Sequence, residues 1–313
     1  MTPQEFAKLQ RDFLIKTEKR SALLLDAEFA RLKAEITEYL FKNLSGSVTL
    51  EKLYARNFLD KFLARLTEKV DILSSPFSRI VARAQTNVIN FTSGELKKYL
   101  KLKIESSIFS PDREAIRNLI GRAFEGKTLQ QVFARMKEPM ANCARASLIE
   151  GFALGESNAQ IAKRIEDVTG MARYRALVLS RNETVMAYRL ASTQFYAEAG
   201  ITEYRFLSQL DARTCLVCWR LHGTKWKLKA KPHIHTQCRC VCLPVLKSDG
   251  EMRTGTELFN RLETGFQKQI LGAKRYELFS GGKSLKSLVG VKESEDFGRT
   301  FFVRNLSDVN LNQ

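Results

Sequence analysis

Five of the six cysteines and all three histidines of this chain fall between residues 215 and 242. Cys215-Leu-Val-Cys218 is followed by sixteen residues, then by His235-Thr-Gln-Cys238, with Cys240 and Cys242 just beyond. A ligand-x-x-ligand pair is a tight turn whose two side chains converge on one point, and two such turns brought together make the tetrahedral donor set that Zn²⁺ prefers. Thiolate and imidazole donors also favour zinc over magnesium or calcium. The spacing predicts Cys215, Cys218, His235 and Cys238 as ligands. Cys240 is an alternate fourth, because on a strand it would face the same side as Cys238. Four protein ligands leave no place for water, so the expected role is structural, not catalytic. Three thiolates, an imidazole and Zn²⁺ sum to −1, which Arg213, Arg239 and Lys225 are placed in sequence to offset. The competing plain reading is buried free cysteines with incidental histidines; disulfides fit a reducing compartment less well.

The balance of 51 Lys+Arg against 34 Asp+Glu gives a formal charge of +17. That points to nucleic acid or another polyanionic surface as a neighbour. Residues 201–250 hold nine basic residues and three acidic ones, so the most basic stretch is also the Cys/His stretch. Within it, Lys225, Lys227, Lys229 and Lys231 alternate with Trp226, Leu228 and Ala230. As a strand, this segment buries Trp and Leu on one side and lines up ammoniums about 6.6 Å apart on the other. With Arg239, that face either tracks a phosphate backbone or is a solvated edge that blocks strand pairing. No recognition helix follows the second ligand pair, so base readout is not expected.

At 44% hydrophobic and 27% charged residues the 313-residue chain has a folded protein's composition, which excludes wholesale disorder. No apolar run approaches the roughly 20 residues that cross a bilayer, and the first residues lack a signal peptide's apolar core. A cytoplasm is the expected place of synthesis and use, with no membrane partner.

Apolar residues at three-to-five-residue spacing predict a helix over 4–42, stopped at 43–46. Further helices are expected over 49–72, ending before Ser74-Ser-Pro76, and over 77–102, with another opened by Ser110-Pro111. Thr128 caps a short one. Helices follow over 139–154, from the Ser157 cap to Gly170, and from Ala172 to Ala199 with Gly200 closing it. At 201 the period changes. Strands are expected over 202–208, 225–231 and 239–246, then mixed structure with short helices. The expected fold is mainly α: an elongated helical N-terminal region (1–103), a central helical domain (104–200), a small zinc-stabilised basic β module (201–247) and a C-terminal segment with short helices (248–313).

The run Leu210-Asp-Ala-Arg-Thr-Cys-Leu-Val-Cys-Trp-Arg-Leu-His-Gly223, with Pro232-His-Ile-His-Thr-Gln-Cys-Arg-Cys240 and Pro244-Val245, resembles the phage head-morphogenesis (minor head, Mu F-like) proteins. Ser180-Arg-Asn-Glu-Thr184 is similar to that family's helix motif, and Ile270–Leu278 fits as well. The likeness spans about 150–290; residues 1–140 share helical character only, and Thr236 stands where the family often has proline. The resemblance implies a non-enzymatic virion protein at the portal vertex, in several copies, contacting the portal protein, with the major capsid protein and packaged DNA as further partners. It implies work in head assembly, DNA packaging or ejection. Asp211 and Thr214 are expected to shape the turn into Cys215. Arg181 and Glu183 read as ion-pairing residues, not catalytic ones. Two alternatives carry different tests: a zinc-containing HNH-like nuclease, which needs a second divalent-metal site, and a free zinc-dependent DNA-binding regulator.

Overall fold

A computed structural model describes residues 1–43, 57–101, 114, 118–123, 127–211, 213–228, 235, 237–294 and 298–310. The start expected at 49, the helix opened by Ser110-Pro111, and Lys229 and Lys231 of the basic face lie outside the described residues. The order is α1 (Pro3–Asn43), α2 (Phe58–Lys101), α3 (Leu129–Ala134), α4 (Lys137–Ala153), α5 (Asn158–Glu198), β1 (Glu203–Leu207), α6 (Leu216–Leu221), β2 (Lys225–Lys227), β3 (Val241–Pro244), α7 (Gly255–Asn260), α8 (Thr264–Leu271), α9 (Ala273–Ser280), β4 (Val289–Ser294), β5 (Gly298–Val303) and α10 (Leu306–Asn310). The protein is mainly α with small antiparallel sheets. No described helix is long and apolar enough to cross a membrane.

Two expected breaks are absent. The helices read as 49–72 and 77–102 are joined, because α2 runs through Pro76. A mid-helix proline costs about 3 kcal/mol, but Leu66, Val70, Leu73, Phe77, Val81 and Ala84 form one buried stripe across it. Burying each large member contributes about 1.5–3 kcal/mol, so the stripe outweighs the proline. Ser74 and Ser78 turn their hydroxyls back onto the carbonyls of Asp71 (2.6 Å) and Ser75 (2.8 Å). Likewise α5 passes through Gly170, whose cost of about 1 kcal/mol is small against the stripe of Ile161, Ile165, Val168, Ala172, Ala176 and Leu179. The caps match their sequence signals. Thr128 and Gln131 form a reciprocal capping box, Ser157 and Gln160 exchange hydrogen bonds, and Gly200 takes φ +71°.

The chain forms two compact units. One comprises Glu18–Ala84 and Gly121–Arg181. Phe77 stacks on Phe29 with centroids 4.9 Å apart and meets Phe133 edge-on at 5.5 Å. Arg173 grips Asp26 with two hydrogen bonds, and Arg181 pairs with Glu18. Arg181 of α5 is therefore held by a partner on α1.

The other unit comprises Met1–Thr17, Gln85–Ile120 and Asn182–Gln313. Its three-stranded sheet has the order β2-β1-β3, all antiparallel, with Tyr204 opposite Trp226 and Phe206 opposite Cys242. Tyr204 and Phe206 meet edge to face at 5.6 Å, and Phe206 meets Trp226 at 6.0 Å. Tyr188 and Tyr196 of α5 both donate to the Cys242 carbonyl, at 3.2 and 2.8 Å, which fastens the sheet to the helix. Among the described residues of the expected 225–231 strand, Lys225–Lys227 forms β2, on the sheet edge. The β4/β5 hairpin was not anticipated in the glycine-rich C-terminal stretch.

Candidate metal centre

Two short turns carry the sulfurs. In the first, the Asp211 carboxylate accepts the Arg213 backbone N–H and the Thr214 hydroxyl, both at 3.0 Å, and the Thr214 hydroxyl oxygen accepts the Asp211 N–H. This shapes the entry to Cys215, which is the N-cap of α6, with Cys218 one turn further on. In the second, the Cys238 N–H closes onto the His235 carbonyl at 3.2 Å while Gln237 adopts φ +63°, a left-handed conformation that costs a non-glycine residue about 1–2 kcal/mol.

The fold brings these turns together. His235 Nε2 lies 2.9 Å from Cys218 Sγ and 3.5 Å from Cys215 Sγ, and Cys240 Sγ lies 3.1 Å from Cys218 Sγ. Cys215, Cys218 and His235 form one group of converging donor atoms, and Cys218, Cys238 and Cys240 a second that shares Cys218. Cys238 interacts with both Cys218 and His235 and so links the two. The cysteines form no disulfide, and the clusters could hold a metal ion. Sulfur and imidazole donors, with Cys218, Cys238 and Cys240 buried and Cys215 and His235 half-buried, suit a soft or borderline cation.

Without a cation the cluster distributes charge unevenly. The hydrogen bond from Cys218 is the main force that draws the Cys215 thiol down to about 4, against burial and with help from His235. Cys238 is held well below the ordinary thiol range by Cys218 and Cys240 and, despite burial, by Arg189 and His235. Cys218 and Cys240 are pushed up, the former chiefly by Cys215 and the latter by Cys238 and burial against an opposing bond from Cys218. Burial alone would lower His235, but the negative charge on Cys238 and the bonds to Cys215 and Cys238 raise it to about 10. The pocket is thus built to hold positive charge among thiolates, and a metal ion would take the protons' place.

Arg189, fully buried on α5, was missed from the sequence. Its Nη2 donates to Cys238 Sγ at 2.9 Å and to the Cys240 carbonyl at 3.1 Å, and its guanidinium lies 5.3 Å from the Phe206 ring centre. Seven residues earlier, on the same helix face, Asn182 Oδ1 accepts the Gln237 N–H at 3.1 Å. Two turns of one helix therefore prop the second ligand turn. Ser208 ties it to the first: its hydroxyl donates to the Cys218 carbonyl at 2.8 Å and lies 3.1 Å from Cys240 Sγ.

The groups expected to offset the centre's charge are differently engaged. Arg213 is exposed and meets Asp211 at 3.5 Å, while Lys225 and Arg239 are exposed. Lys225 and Lys227 flank half-buried Trp226 on the edge strand. His222 stands apart from the cluster: its Nδ1 accepts the Ser208 backbone N–H at 3.1 Å, and burial pushes its pKa down to about 4.

Residues 142–243 match the family model described as Phage Mu protein F like protein. The matched segment is about a third of the chain and contains Asn182, Arg189 and every candidate ligand. The family resemblance read from the motifs is the one this match shows. No curated protein matches the chain, and no solved structure does.

Proposed function

We propose that this is a non-enzymatic minor head protein of a phage, working in head assembly, packaging or ejection, with a structural zinc at the Cys/His cluster. The observation that carries the reading is the convergence of two ligand turns inside the segment that matches the Phage Mu protein F like family. Cys215, Cys218, His235 and Cys238 hold the ion, since Cys238 is the sulfur that joins the two donor groups. Cys240, held by Ser208, is the substitute. The ion fastens the 201–247 region into one basic module, where a structural zinc contributes about 10–16 kcal/mol in small domains.

The module and the surplus positive charge favour a place beside packaged DNA, bound through phosphates and without regard to sequence. The portal protein is the main protein partner, with the major capsid protein a second, and the protein sits in several copies at the portal vertex of the virion after assembly in the bacterial cytoplasm. The nuclease reading lacks support in the site. His222 is spent on Ser208, and Asp211, the nearest acid to the first turn, is engaged by Thr214 and Arg213.

Mass spectrometry of purified particles, with co-purification of the portal protein, tests the assignment. The protein is expected in heads and bound to portal. Its absence from heads, with free monomer in the lysate, would remove the reading. Plasmid cleavage with Mg²⁺ or Mn²⁺ that His222→Ala abolishes would replace it with the nuclease.

A further inference from the structure

Successive residues of β1 point to opposite faces of the sheet. Tyr204 and Phe206 join the aromatic core, while Arg205 and Leu207 line a cavity of about 600 Å³ on the other face, together with Leu243 and His222. Arg205 is 7% exposed, its Nε has no hydrogen-bond partner, and among the described residues no carboxylate lies within ion-pairing distance of it. A guanidinium taken out of water without a counter-charge costs several kcal/mol. The fold nevertheless keeps one in this wall.

Other donors surround it. His222 gives its Nδ1 lone pair to Ser208, so its ring hydrogen sits on Nε2. Pro3 and Gln4, in the first turn of α1, line the same cavity, and the Gln4 N–H has no intrahelical acceptor. Arg11, 9% exposed, also has an unpartnered Nε, and its charge reaches His222 along with that of Arg205. The remaining wall selects among anions. Asp249 and Glu251 line the cavity beside Arg253, so with Arg205 the wall carries two charges of each sign and does not favour a doubly charged anion, and Leu207, Leu243, Met252 and Leu258 supply apolar surface.

We infer that this cavity binds a singly charged carboxylate carried on an apolar body, with the Arg205 guanidinium gripping the carboxylate through its two-pronged edge. Either a small free acid or the carboxy-terminal residue of a peptide offers that chemistry. The cavity lining contains none of the candidate metal ligands, and the site needs no metal.

Calorimetric titration of the full chain tests it with N-acetyl-L-leucine, its amide, inorganic phosphate and the peptide acetyl-Ala-Ala-Leu with a free carboxylate. The acid is expected to bind at least tenfold tighter than the amide and tenfold tighter than phosphate. A further tenfold gain for the peptide assigns the site to chain ends; equal affinity assigns it to small acids. Arg205→Met is expected to abolish acid binding while metal content and melting temperature hold. Equal binding of acid and amide, preference for phosphate, or undiminished binding by a folded Arg205→Met protein would each overturn the inference. Should that variant not fold, the acid-to-amide ratio of the unaltered protein decides.

Discussion

Arg189 Nη2 donates to Cys238 Sγ at 2.9 Å, across 49 residues of sequence, with both side chains buried. The pair sets the charge of the centre from beneath: a fixed cation stabilises one thiolate before any metal arrives. Removing the guanidinium leaves that thiolate uncompensated in a dry site. Breaking such a pair costs about 3–5 kcal/mol, and loss of a group that orients a ligand weakens metal binding about 10–100-fold. Arg189→Met is expected to show both effects, read by thermal unfolding and by zinc competition with a chromogenic chelator. Arg189→Lys keeps charge but cannot serve Cys238 and Cys240 together, so an intermediate loss is expected. Unchanged zinc affinity in both variants would separate Arg189 from the site.

The two candidate sets differ in one sulfur. If Cys238 is the fourth ligand and Cys240 the substitute, Cys218→Ser and Cys238→Ser lose stoichiometric zinc, while Cys240→Ser retains about one per chain by elemental analysis. Cys218 belongs to both donor groups, so its loss is the most severe. Chelation of the unaltered protein is expected to raise amide exchange across 201–247 and leave the Glu18–Ala84 stripe protected. Full zinc retention by Cys238→Ser and loss by Cys240→Ser would exchange their roles.

His222 makes stability depend on pH. The unfolded side chain takes a proton near pH 6.5, whereas burial keeps the folded one neutral down to about pH 4. Between these values the unfolded chain holds the extra proton, so this contribution is complete above pH 6.5 and disappears as pH falls toward 4. About 3 kcal/mol is at stake. Acid also protonates metal-free thiolates, so the comparison that isolates His222 is His222→Gln, which keeps an acceptor for Ser208. Urea midpoints measured from pH 7 to pH 5 are expected to fall more steeply for the unaltered protein than for the variant. Parallel curves would mean that His222 titrates normally.

Two glycines give opposite outcomes. A Cβ on Gly255 would lie 1.9 Å from the Trp219 carbonyl oxygen and 2.9 Å from His222 Cβ, because α6 and α7 touch there through backbone. Gly255→Ala is therefore expected to destabilise by about 3 kcal/mol or more. Gly170 sits mid-helix with nothing within 4 Å. Gly170→Ala is expected to stabilise by about 0.5–1 kcal/mol. Chemical denaturation of both variants checks the pair; destabilisation by Gly170→Ala would contradict the continuous α5.

The ligand turns and helix caps are legible in sequence because each is a local device. Cys-x-x-Cys, His-x-x-Cys, Thr128 with Gln131, and Gly200 all act within four residues. The failures are of another kind. Pro76 and Gly170 are local penalties of about 1–3 kcal/mol, and the buried stripes that overrule them extend over several turns. Arg189 and Asn182 acquire their roles only when α5 packs on the 237–240 turn. A faint signal existed: Asn182, Glu183 and Arg189 are polar residues flanking the apolar run Val185-Met-Ala-Tyr188. Arg205 offered none, since a lone arginine in a short strand reads as a solvated face.

Lys225 and Lys227 decide between the two meanings of the lysine stripe. Both are exposed on the edge strand β2, so replacing them should not disturb the core. If they neutralise phosphates, the double variant Lys225→Ala/Lys227→Ala binds duplex DNA more weakly, and the slope of log affinity against log salt falls by about 0.9 for each lost contact. Fluorescence anisotropy over a salt series, with two unrelated sequences, measures this. Equal affinity for the two sequences and a slope reduced by about 2 are expected, with an unchanged melting temperature. An unchanged slope would make these lysines a solvated edge that keeps β2 from pairing with other chains, and the DNA contact would have to be made elsewhere.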